Sequence, residues 1–218
     1  MPLYSRYYLT PFFCSLFILL TNTVSAEKVK VIDQHGNPVP NAVVGFPAPA
    51  EHSFDLQTIA VMDQVDQQFS PQVISIARGQ FVKFPNSDDI RHHVYSFSAV
   101  KPFEIKLYKG TDVEPIQFDQ PGIGVLGCNI HDNMIGYIYI ADNEVTQVSN
   151  ENGLVSFELA IPTSLLIWHP KQSISPMDKQ SVVPEFINNL PTVRIDLLVE
   201  EDKPEKRTFG SRTFGSNG

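Results

Sequence analysis

Apolar and polar residues alternate in short runs along most of the chain, and no stretch of helix length keeps an amphipathic helical period. Residues 29–32 and 39–46 read as two strands around the turn Gln34-His35-Gly36-Asn37. Pro47-Ala48-Pro49 then breaks the chain, and residues 51–60 carry no decisive pattern. From residue 61 the signals sharpen. Residues 73–76 alternate up to the turn Arg78-Gly79, and 81–84, 94–97, 103–108 and 114–118 have strand length and composition. Pro121-Gly122 marks a tight turn; 123–126 runs into Cys128, and 135–140 runs out of the polar loop beyond it. A second series begins near Asp142, with a turn at Asn150-Glu151-Asn152-Gly153, strands at 154–159 and 164–169, and an alternating run at 192–199. Short strands at this spacing predict an all-β protein built as a β-sandwich.

The two ends read differently. Arg6 precedes an apolar run over residues 9–20, followed by the small-residue pattern Val24-Ser25-Ala26. That predicts a cleavable signal peptide over 1–26. The run is too short for the roughly 20 residues of a spanning helix, so no stable membrane insertion is expected after cleavage. At the other end a charged segment starts at Glu200, and Arg-Thr-Phe-Gly-Ser occurs at 207 and again at 212. Its composition predicts a disordered tail over 201–218.

Composition narrows the function classes. The 218 residues suffice for one or two small domains. Hydrophobic content of 42% supports a packed core, and 17 prolines against 12 glycines favour strands and turns. Without the signal, 15 basic residues face 24 acidic ones, a net charge of −9, which argues against a nucleic-acid partner. Cys14 would leave with the signal, so Cys128 would be the single thiol of an exported chain. It could form no internal disulfide, and metal ligation is a good reason to keep it.

Residues 128–134 read Cys-Asn-Ile-His-Asp-Asn-Met. Thiolate, imidazole and thioether recur every third residue, and His92 and His93 upstream offer a further imidazole. A His₂Cys set with a weak Met suits copper, which must be held as Cu(I) and Cu(II) with little rearrangement. Neighbours on a strand face opposite sides, so one of His92 and His93 can point at the metal. Zinc wants four firm donors, which Met is not. A binuclear copper centre needs a second Cys, and His35, His52 and His169 stand isolated.

On these residues the segment 61–141 resembles the cupredoxins of the plastocyanin/amicyanin type. Cys128-x₂-His131-x₂-Met134 has the short amicyanin spacing, Gly122 stands six residues before Cys128, and Asn86, Asp88 and His92-His93-Val94 match the upstream pattern. The run from Met62 to Asp132 is similar to plastocyanin-like proteins labelled methylamine-utilisation proteins. The resemblance implies a Greek-key sandwich and one type 1 copper held by His92, Cys128, His131 and Met134. It implies Asn86 and His93 as supporting residues, with Ile130 and Ile135 in the partner-contact surface. Three positions depart from the family. Ile130 and Asp132 flank His131 where a proline is common, Gly127 stands where an aromatic often precedes the Cys, and Asp132 and Asn133 make the loop polar.

Residues 28–46 and 151–170 are similar to carboxypeptidase-regulatory-like or transthyretin-like modules. The expected organisation is therefore a copper domain over 61–141, flanked by 27–60 and 142–200, which together form a second small β-sandwich. Trp168 is expected in its core. The expected function is electron transfer in the periplasm between redox protein donors and acceptors, by a monomer that is not an enzyme. A copper carrier or sensor without electron turnover is the alternative, and a structural sandwich with a vestigial site is a weaker one.

Overall fold

The computed structural model describes residues 26–198. The signal expected over 1–26 (but for Ala26), residues 199–200 and the expected tail with its repeat lie outside the described residues. Among the described residues every regular element is a strand.

Two strands open the chain, β1 (Glu27–Ile32) and β2 (Val43–Pro47). Ten follow: β3 (Ala60–Val61), β4 (Asp63–Val65), β5 (Gln68–Ser70), β6 (Val73–Ala77), β7 (Phe81–Lys83), β8 (His92–Ser96), β9 (Phe103–Tyr108), β10 (Ile116–Gln117), β11 (Gly122–Cys128) and β12 (His131–Ala141). Six more complete it: β13 (Glu144–Val148), β14 (Leu154–Phe157), β15 (Leu165–Trp168), β16 (Gln180–Val182), β17 (Glu185–Ile187) and β18 (Leu190–Arg194).

The strands form layers. A sheet in the order β14-β1-β18-β17 faces one in the order β13-β2-β15-β16. Their shared core holds Val29, Val31, Val44, Phe46, Phe157, Leu165, Ile167 and Val193. The second of these sheets packs on a five-stranded sheet, β6-β12-β11-β8-β9, through Val43, Val73, Ile123, Tyr139, Ala141 and Trp168. The five-stranded sheet in turn covers β10-β7-β3 and the hairpin β4-β5 through a core that includes Met62, Phe69, Phe84, Phe118, Ile138 and Ile140.

The two inner sheets are buried on both faces, and their sequences show why. Along β12, Ile138 and Ile140 point one way while Tyr139 and Ala141 point the other. Along β2, Val43 and Val44 split in the same manner. A strand with apolar residues on both sides of its pleat is stable only between two layers. Trp168, fully buried, fills the middle of the contact, and its indole N–H donates to the Pro176 carbonyl at 2.8 Å. Ser75 and Thr146 share a hydroxyl hydrogen bond of 2.7 Å across the same boundary.

The chain enters and leaves the β3–β12 region at one place. Pro47 at the end of β2 lies opposite Glu144 at the start of β13, and the Ala48 N–H donates to the Asn143 carbonyl at 2.9 Å.

Several strand limits differ from the alternation pattern for local reasons. β2 begins at Val43, because Asn41 takes a left-handed φ of 60° and bends the chain after Val39 bonds back to Val31. The run expected over 192–199 leaves the sheet after Arg194, where residues 196–198 pair instead with the 171–173 loop. The hairpin strands β4 and β5 and the edge strands β16 and β17 are three residues each, too short to have shown a period.

Candidate metal centre

The site lies at one end of the five-stranded sheet, where β8 and the β11–β12 hairpin meet. β11 ends at Cys128 and β12 starts at His131, and the two residues pair across the turn Asn129-Ile130. Register is lost between this pair and Gly127↔Ile135. The extra residues form a bulge that re-aims side chains. Met134 is thereby turned inward, 1% exposed, into the same core cluster as Cys128.

Gly127 is required by its neighbour. It lies opposite Tyr95 of β8, and a Cβ built on it would fall 2.6 Å from the Tyr95 hydroxyl oxygen. The Tyr95 ring fills the space that a side chain at position 127 would take. Tyr95 continues outward in ring contact with His93 and with Phe97, which is 85% exposed.

The Cys128 Sγ stands 3.8 Å from Nδ1 of His92 and 3.7 Å from Nδ1 of His131. The donor atoms of the three residues all lie within 4.8 Å of one another. Three donors ringing one ion at about 2.1 Å would be about 3.6 Å apart, so this cluster can close on one metal with small movements. Its donor types, one soft thiolate and two imidazoles, are those that suit copper. His92 is fully buried and Cys128 is 4% exposed, while His131 is partly exposed.

His93 points elsewhere. Its Nε2 meets Glu104 Oε1 at 2.8 Å, and its buried Nδ1 has no hydrogen-bond partner. Both histidines are nonetheless buried, and as neighbours on β8 they point to opposite sides of the strand. Asn86 makes its side-chain hydrogen bonds to neither Cys128 nor a histidine. Its Nδ2 donates to the carbonyls of Ile90 and Tyr108 at 3.0 and 2.8 Å, and its Oδ1 accepts from the Asp88 N–H at 3.0 Å. It braces the loop that leads into His92. Ile130 and Ile135 are 51% and 37% exposed beside the site.

The sequence assigned no role to three neighbours of the site, although Asp88 belongs to the upstream pattern that carried the resemblance. Asp88 Oδ2 lies 2.6 Å from His92 Nε2. Burial raises the Asp88 carboxyl, but hydrogen bonds from the Gln67 N–H, from His92 and from the Asp66 N–H outweigh it and hold the pKa low. Glu104 partners His93. Tyr108 donates to the Phe84 carbonyl and accepts from Gln64 Nε2, and burial pushes its hydroxyl up to about 12. Asp88 precedes His92 by four residues, a separation that fixes no direction across an irregular loop.

No protein-family model and no curated protein sequence matches the chain. The solved structures it is similar to include a copper-containing nitrite reductase, an amicyanin and a purple cupredoxin. A Cu-containing nitrite reductase from Thermus scotoductus is 24% identical over 44% of this chain, with a TM-score of 0.38. The match spans 25% of that enzyme's chain. A reduced amicyanin variant is 19% identical over 46% of this chain and 99% of its own, with a TM-score of 0.35. A purple cupredoxin from Nitrosopumilus maritimus is 17% identical over 38% of this chain and 98% of its own, with a TM-score of 0.34.

Proposed function

We propose that the chain is a periplasmic type 1 copper protein that passes single electrons between redox proteins. The observation that carries this reading is the convergence of His92, Cys128 and His131 on one point inside the β-sandwich, with Met134 buried beside it. In this reading Cys128 would supply the thiolate, His92 and His131 the two imidazoles, and Met134 a weak thioether. Bound there, copper supplies a one-electron Cu(I)/Cu(II) couple.

The protein's part is to hold donors still. His92 and Cys128 are fixed on paired strands and sealed from water, and the short hairpin limits His131 and Met134. Four protein donors leave no open position of the kind a catalytic metal keeps, which favours a carrier of electrons over an enzyme. His131, the partly exposed donor, is the expected contact for partners. Ile130 and Ile135 flank it with apolar surface for a weak, short-lived encounter. The signal expected at residues 1–26 supports export. The outer pair of sheets is read as a spacer.

The test is spectroscopic. Purified mature chain given Cu(II) is expected to show an intense thiolate-to-copper band in the visible and a narrow EPR hyperfine splitting. Cys128→Ser and His92→Ala should lose both, and His93→Ala should keep them. A wild-type protein without the band, or a Cys128→Ser protein that retains it, would overturn the reading. Copper released on reduction would favour a metal carrier instead.

A further inference from the structure

The carboxylate behind His92 has a second attachment. Asp88 accepts hydrogen bonds from the backbone N–H groups of Asp66 at 2.6 Å and Gln67 at 2.9 Å. Those two residues form the turn between β4 and β5, both in the left-handed region with φ of 51° and 59°. The turn therefore aims two successive N–H groups at one carboxylate. Asp88's own N–H is held by Asn86, and its side chain is 12% exposed. Three donors and a braced backbone leave it little freedom.

From this geometry we infer that Asp88 is the positioning residue that sets both the orientation of His92 and the reduction potential of the site. A carboxylate can only accept, so His92 must carry its proton on Nε2. That leaves the Nδ1 lone pair directed at the space shared with the Cys128 sulfur, 3.8 Å away. A negative charge on the far nitrogen also makes the ring a stronger donor. Stronger donation favours the higher positive charge, so Asp88 stabilises Cu(II) relative to Cu(I) and lowers the potential. The hairpin β4-β5 has no side chain among the converging donors, and its turn reaches His92 through the Asp88 carboxylate.

This inference rests on the copper reading, yet one of its tests does not. In the metal-free wild-type chain, nitrogen-15 NMR of the His92 ring should find the proton on Nε2. A proton on Nδ1 would overturn the inference, whatever the fate of copper. The second test uses Asp88→Asn, which keeps an acceptor oxygen and removes the charge. Cu(II) affinity should fall about tenfold with Cu(I) affinity unchanged. That corresponds to a potential raised by about 59 mV for one electron. Asp88→Glu should recover part of the shift. A potential equal to wild type in Asp88→Asn would overturn the tuning role, while a wild type lacking the thiolate band would overturn only the copper reading.

Discussion

Gly127 shows how one missing side chain can be a structural requirement. The Tyr95 ring occupies the volume a Cβ would need, with its hydroxyl oxygen and Cζ 2.6 and 2.7 Å from that position. Gly127→Ala should therefore destabilise the fold by about 1–3 kcal/mol through overpacking, measured by urea unfolding. In a Tyr95→Ala background the same substitution should cost much less, and the double-mutant cycle reads the coupling. The residue scale is also where sequence reasoning met its limit. Cys128, His131 and Met134 were legible together because one hairpin carries them. The residues alone left His92 and His93 open, since alternation says that one points inward and not which. A contact such as Asp88 with the 66–67 turn joins segments over twenty residues apart, and no local pattern marks it.

At the scale of elements, apolar runs located the interior strands and missed short strands at the edges. β6, β11 and β12 were visible because both of their faces are buried. β16 and β17 were not, because an edge strand such as β17, with Phe186 76% exposed, need not alternate. The end of β15 carries a testable element contact. His169 follows Trp168 and accepts the Lys171 N–H at Nδ1 at 3.1 Å, with the ring also bonded to the Pro40 carbonyl. Burial lowers its pKa to about 4, against the Pro40 bond that raises it and with the Lys171 charge adding to the lowering. The unfolded chain then binds more protons between about 4 and about 6.5. Stability from this group is full above about pH 6.5, declines as pH falls, and is gone below about pH 4. The loss is at most about 3 kcal/mol. Urea midpoints across pH 4–7 should show it, and His169→Asn should flatten that part of the profile.

For the whole molecule, the packing of one inner sheet on the other decides whether the layers behave as one body. Trp168 is the chain's single tryptophan and sits at the centre of that contact, in ring contact with Tyr137 and Tyr139. Lys179 sits over the Tyr139 ring and pairs with Glu144 at 2.8 Å, closing the same boundary. Trp168→Ala should cost about 3–5 kcal/mol. In the wild type, loss of tryptophan fluorescence and loss of the far-ultraviolet strand signal should coincide in urea. In the variant, two separate transitions are expected, one for each side of the lost contact.

The parallel pairing of β1 with β18 has a mechanical side. Both ends of the described chain run through one sheet, side by side, with Lys30, Val31 and Ile32 opposite Thr192, Val193 and Arg194. Tension applied between Ala26 and Leu198 would try to slide these two strands past each other, loading their hydrogen bonds together rather than one after another. The loop of chain from Ala48 to Asn143 is tied off at its neck and lies off the line of force. A tethered molecule under flow or crowding would thus carry strain in its outer layer, while the distances among His92, Cys128 and His131 stayed unstretched.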